Sequence, residues 1–193
     1  MQAKPDNGGE RPITITSLVY AVLCKLSKSA VQDWDAEHHG FWDTAIAGSS
    51  ALKAAVARRL MAERAVALGQ AALELMFDIE KFYDSIDIVL LVQESIRMEY
   101  PVHEMLNGLV AHRLPRVIKV GNDVSLPVDI RASILQGCMR SNSWARMYVH
   151  KMLEDMHYEI PFTINQFVDD MAATIVGKMD DVAHCAAQLV VEP

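Results

Sequence analysis

The chain has 193 residues, 51% of them hydrophobic, with 18 Lys and Arg against 25 Asp and Glu for a formal net charge of −7. That length and apolar share suit one sizeable core or two small subdomains and exclude a disordered chain, while the acidic balance argues against gripping a polyanion by bulk charge, which needs clustered Lys and Arg. Cys24, Cys138 and Cys185 stand far apart without CxxC or Cys/His ligand spacing, which excludes a disulfide framework and a structural zinc site and makes a reducing intracellular compartment, cytoplasmic or nuclear, the expectation.

The opening "MQAKPDNGGERPI" lacks the apolar core of a secretory signal, and the apolar stretch from Leu18 to Leu26 is too short to span a bilayer, so neither secretion nor a membrane is expected. Behind Ser17 as N-cap, Leu18, Val22, Leu26 and Ala30 recur at helical intervals and predict one helix through Trp34. "DAEHHGFWDTAIAGSS" reads as irregular. Its Asp35, Glu37, His38, His39 and Asp43 make a poor metal site, because adjacent histidines rarely point to one ion. "ALKAAVARRLMAERAVALG" is rich in strong helix formers and closes on Gly69 at a C-cap position.

"AALELMFDI" is short and apolar, which predicts a buried strand delivering Asp78 at its carboxyl end. "SIDIVLLVQESIRM" follows as an amphipathic helix, and Pro101 at an N1 position opens another through about His112. "RVIKV" and "VSLPV" flank Gly121-Asn122-Asp123 as a hairpin whose second arm carries Pro127 and is therefore an edge strand. A helix from about Arg140 to His157 leads to "PFTINQFV" and "MAATIVG", two strand-like runs that meet at Asp169-Asp170. Arg140 and Arg146 on that helix are expected to be solvated charges, with contact to packing partners or a template as the alternative. From Ala72 onward the order of strand, helices, hairpin, helix, hairpin and helix predicts an α+β layer, with helices packed on one face of a mainly antiparallel sheet.

Asp78 at a strand end and Asp169-Asp170 in a tight hairpin converge if their strands are neighbours in one sheet. Packed carboxylates repel, and such a cluster either raises a pKa or recruits divalent cations. Magnesium takes hard oxygen ligands from one or two carboxylates and completes its shell with water and phosphates. Two such ions about 3.5–4 Å apart activate an attacking hydroxyl and stabilise a leaving oxygen. On local grounds alone, an Asp-Asp pair equally suits a solvated turn.

"RPITITSLVYAVLCKL", "MFDIEKFYDSID", "LQGCMRSNSWARMYVHKML" and "FVDD" occur in one order between Arg11 and Asp170, with weaker matches at "HGF" and "GSSALKAA". Together they resemble the reverse transcriptases of non-LTR retrotransposons and mobile introns. The resemblance implies a polymerase palm over residues 72–193 and a partial, mainly helical fingers segment over residues 1–71. It also implies truncation after the palm, with the thumb or further polyprotein domains missing. The implied activity is RNA-directed DNA polymerisation, the transfer of a deoxynucleoside triphosphate (dNTP) to a primer 3′-OH. Two Mg²⁺ ions, or Mn²⁺, are the implied cofactors; an RNA template, a DNA primer and a dNTP are the implied partners.

By the same resemblance Asp78 and Asp169 are the metal ligands, the Ile79 carbonyl completes the shell, and Asp170 is a catalytic accessory. Arg11 lies over the triphosphate, Tyr83 stands under the sugar and excludes a 2′-OH, and Gln136 and Gly137 adjoin the nucleotide sugar and template. Plainer roles remain open for each: core packing for Tyr83, a helix-leading glycine for Gly137, an exposed terminal charge for Arg11. The chain departs from the family pattern at Leu135-Gln136-Gly137 and Ser141-Asn142, where proline is usual before the Gln and after the Ser. Two other functions fit the residues less fully. One is a catalytically inactive retroelement remnant or binding domain, and the other is a different palm-fold two-metal enzyme such as a nucleotide cyclase.

Overall fold

The computed structural model describes residues 14–46, 48–130, 132–159, 162–168 and 170–191. Along them run α1 (Leu18–Leu26), α2 (Lys28–His38), α3 (Ala51–Ala67), β1 (Ala71–Asp78), α4 (Phe82–Ser85), α5 (Ile88–Arg97) and α6 (Val102–Arg113). There follow β2 (Lys119–Val120), β3 (Asp123–Val124), α7 (Ser141–Glu159), β4 (Thr163–Phe167), β5 (Asp170–Gly177) and α8 (Met179–Val191). Among the described residues no helix is long and apolar enough to cross a membrane. The chain divides into two compact units, each assembled from two separated stretches: Met1–Trp34 with Lys81–Tyr148, and Asp35–Glu80 with Val149–Pro193.

In the first unit Ser17 caps α1 as expected, its Oγ accepting from Tyr20 N–H at 3.2 Å. The single helix expected through Trp34 is instead two, broken at Ser27. The Ser27 hydroxyl donates to Leu23 O at 2.9 Å, and the buried Arg140 guanidinium donates to Cys24 O at 3.2 Å, the carbonyl that a continuous helix would offer to residue 28. α5 is capped by Asp87, whose Oδ1 accepts from Val89 and Leu90 N–H at 2.7 and 3.0 Å. Pro101 stands at the N-cap of α6, one position earlier than expected. The core gathers Ile86, Leu91, Ile134, Trp144 and Met147, all essentially without exposure. At Gly108 an added Cβ would lie 2.4 Å from Trp144 Cζ2, so α6 approaches α7 at a residue with no side chain. The expected hairpin forms, but with strands of two residues each around a two-residue turn, Gly121-Asn122, where Gly121 takes φ +59°. Asp123 belongs to β3 and Pro127 lies outside it, followed by an isolated bridge between Arg116 and Val128.

In the second unit an antiparallel sheet of order β1-β5-β4 carries α3 and α8 packed against β1 and β5. α3 ends as expected at Gly69: Gly69 N–H donates to Val66 O at 3.0 Å and Gln70 N–H to Ala65 O at 2.9 Å, with Gly69 at φ +71°. The register places β5 in the middle. Ala172 to Ile175 form an unbroken buried run, as expected for a strand covered on both faces. β1, expected to be buried, is instead half-buried, with Glu74, Met76 and Asp78 exposed. The physical reason is its place: with one strand neighbour it is an edge, and its apolar composition alone did not distinguish an edge from a centre. The segment read as irregular supplies a further partner for the sheet. Asp43 bridges Gln166 in parallel, Gln166 N–H donates to Trp42 O at 2.8 Å, and Thr44 N–H donates to Gln166 O at 2.8 Å.

Candidate active site

Asp78 closes β1 and Asp170 opens β5, and the register sets them directly opposite one another. Residues so paired across an antiparallel ladder point their side chains to the same face, with Cβ atoms about 4.5–5.5 Å apart, and like charges there repel. Both aspartates are exposed. Among the described residues neither carboxylate has a hydrogen-bond or ion-pair partner. Two carboxylates facing each other are hard-oxygen donors of the kind that Mg²⁺ or Mn²⁺ takes, so these residues fit a divalent cation. Among the described residues no group of three or more His, Cys, Asp or Glu gathers into a fuller shell. Asp169 lies outside the described residues, and so does Arg11.

The turn beside the pair is strained. Phe167 at the end of β4 stands opposite Asp170 at the start of β5, and Val168, which follows Phe167, takes φ +60°. Two-residue hairpins use positive φ, which Gly or Asn adopts readily and a β-branched residue does not. Gln166, 2% exposed, steadies this turn by donating from Nε2 to Val168 O at 2.9 Å. Gln166 in turn is fixed by the Trp42–Thr44 segment, and the Thr44 hydroxyl donates to Gln166 O at 2.7 Å. The sequence reading missed this support, because a single bridge between segments so far apart leaves no local pattern.

Ile79, half-buried, follows Asp78 directly beyond the end of β1 in the second unit. Tyr83, Gln136 and Gly137 fall in the first unit, where hydrogen bonds of Tyr83 reach both sides of the turn that carries the other two. Tyr83, half-buried at the short helix α4, accepts at its backbone carbonyl from Ile134 N–H at 2.9 Å. Its hydroxyl donates to Asn142 Oδ1 at 3.1 Å. Between these two anchor points lie Gln136 and Gly137, and Gly137 takes φ +88°, a conformation that favours glycine. Two buried groups brace the turn. Leu135 N–H donates to His112 Nδ1 at 3.1 Å, and the Ser141 hydroxyl donates to Leu135 O at 2.5 Å. Burial, reinforced by the Arg116 guanidinium, pushes the His112 pKa down to about 4, so the ring is the neutral acceptor that this hydrogen bond requires.

Arg140 and Arg146, expected as solvated charges, are buried. Arg140 is 2% exposed and pairs with Glu104 while also donating to Cys24 O at 3.2 Å and Ser27 Oγ at 2.5 Å. Glu104, 36 positions earlier, compensates the buried charge.

Residues 2–192 match the family described as reverse transcriptase (RNA-dependent DNA polymerase). The chain belongs to the reverse transcriptase family. No curated protein sequence matches this reverse transcriptase segment. Among solved structures, apo telomerase from Candida tropicalis, truncated from its C-terminal domain, has a similar fold: the TM-score is 0.53 at 12% identity, over 88% of this chain. The segment spans 36% of that telomerase chain, and at this identity the likeness concerns the fold alone. It is the mixed fold of helices and antiparallel sheet that the sequence led us to expect.

Proposed function

We propose that this segment is the fingers-and-palm part, residues 1–71 and 72–193, of an RNA-directed DNA polymerase of the non-LTR retrotransposon or mobile-intron type. The observation that carries the proposal is the pairing of Asp78 with Asp170 across β1 and β5, within a chain whose family match covers residues 2–192. In this reading Asp78 and Asp169, with the Ile79 carbonyl, bind two Mg²⁺ ions, and Asp170 adds negative charge at the same strand end. The bound ions would supply Lewis-acid activation of the primer 3′-OH and neutralise charge at the leaving pyrophosphate. Arg11 offers its planar donor fork to the triphosphate, and Tyr83 excludes a ribose 2′-OH by steric contact. The Gln136–Gly137 turn lets the sugar and template approach a backbone without a Cβ. Template RNA, primer DNA and dNTP are the partners.

Primer extension on an RNA template with Mg²⁺ tests the reading. Asp78→Asn and Asp169→Asn are each expected to lower incorporation by about a thousandfold or more, as loss of a group that stabilises transition-state charge does. Template-directed synthesis that survives Asp78→Asn would sink the assignment, and triphosphate turnover indifferent to template would point to a cyclase-like enzyme. A second reading, an inactive binding remnant, draws on the net charge of −7. Extension by the purified chain argues against it.

A further inference from the structure

Tyr83 is held at both ends. Its carbonyl accepts from Ile134 N–H at 2.9 Å and its hydroxyl donates to Asn142 Oδ1 at 3.1 Å. The two partners flank Gln136 and Gly137, so the tyrosine is tied to either side of one turn. Its ring also leans on Phe82, with centroids 5.6 Å apart and planes inclined at 57°, and Phe82 is buried.

Asn142 is well placed to act as an anchor. It sits in the first turn of α7 between Ser141 and Ser143, both buried, while its own side chain is exposed. Ser141 pins the helix start by donating to Leu135 O at 2.5 Å. The acceptor that meets Tyr83 is therefore borne by a fixed helix rather than a loop. Asn142 also occupies the place where the sequence departs from the family's usual proline, a residue with no side-chain acceptor.

We propose that Asn142 is a positioning residue for sugar selectivity: by accepting from the Tyr83 hydroxyl it fixes the ring's orientation and so sets how strictly a nucleoside triphosphate bearing a 2′-OH is refused. Discrimination by a clash works only when the wall does not yield. A ring tethered at its far end, which rotation about the Cα–Cβ bond moves most, yields least. The inference rests on the reading of Tyr83 as the residue under the sugar.

The test is primer extension by the full chain with a matched dNTP and its ribonucleotide, read as the ratio of the two kcat/KM values. Asn142→Ala and Tyr83→Phe are each expected to lower the preference for dNTP about tenfold, the factor that one neutral hydrogen bond supports. The double variant should fall no further than either single one. Asn142→Asp keeps an acceptor and is expected to hold the ratio within about twofold of the parent. Tyr83→Ala removes the wall and should lower the ratio more than any of these.

If Tyr83→Ala relaxes selectivity while Asn142→Ala and Tyr83→Phe leave it unchanged, the role of Asn142 is refuted and the reading of Tyr83 stands. If Tyr83→Ala changes nothing, the reading of Tyr83 fails and the proposal fails with it. A purely structural Asn142 would depress both substrates equally and leave the ratio constant, which also overturns it. For a chain that incorporates nothing, the same ratio is read as equilibrium affinity for dCTP against CTP in the presence of Mn²⁺. Equal affinities in the parent chain would then overturn the proposal.

Discussion

At the scale of single residues, the first unit depends on buried polar groups whose charge state is fixed by their surroundings. His112 is wholly buried between Tyr20 and Trp144, and burial together with Arg116 lowers its pKa from 6.5 to about 4. The folded state therefore resists protonation that the unfolded state accepts. His112 contributes its full stability above pH 6.5, loses it progressively as pH falls from 6.5 to about 4, and loses no more below that. Urea unfolding should show about 2 kcal/mol less stability from this residue at pH 5 than at pH 7. His112→Gln is expected to flatten that slope, and an unchanged slope would show that another group carries it. Arg140 makes a second case. Arg140→Ala would strand the Glu104 carboxylate in the interior and should cost about 3–5 kcal/mol in unfolding free energy. A loss under about 1 kcal/mol, the range of solvated surface pairs, would restore the exposed reading that the sequence suggested. No local pattern revealed this burial, because the compensating carboxylate comes from another helix.

At the scale of elements, what was legible followed from local chemistry. Strong helix formers located α3, amphipathic spacing α5 and a leading proline α6, and the helix read from about Arg140 to His157 is α7; Ser17 and Gly69 marked ends by hydrogen bonds within a few residues, and the run before Asp78 announced a strand. The break at Ser27 was not legible, since the group that claims the Cys24 carbonyl is Arg140, 116 positions away. Nor was the edge position of β1, because an apolar run specifies a strand without specifying its neighbours. The β4–β5 turn carries its own prediction. Val168 at φ +60° stores strain on the order of 1–3 kcal/mol. Val168→Asn, which tolerates that conformation, is expected to raise stability by about 1 kcal/mol in urea unfolding. A destabilised variant would mean that the Val168 side chain contributes packing that outweighs the strain.

At the scale of the whole molecule, the decisive fact is one of register. Asp78 and Asp170 are 92 positions apart in sequence and directly opposite in the sheet. Without metal their repulsion should be a net cost, so Asp78→Asn is expected to raise metal-free stability by about 0.2–1 kcal/mol. The same substitution should abolish any rise in melting temperature on adding excess Mg²⁺, a readout independent of catalysis. A parent chain whose melting temperature ignores Mg²⁺ and Mn²⁺ alike would argue that the carboxylates bind no cation. The sequence by itself determined most of the helices and strands, though not the break at Ser27 or the short α4, together with the fold class and the ordered strings that place the chain among reverse transcriptases, because these rest on periodicity, capping and short-range spacing. Only the tertiary structure decided that Asp170 faces Asp78, that Arg140 is buried against Glu104, that the Trp42–Thr44 segment props the hairpin and that Asn142 holds Tyr83. Each of these is a contact between distant segments, and its formation depends on how the chain packs, which no window of neighbouring residues encodes.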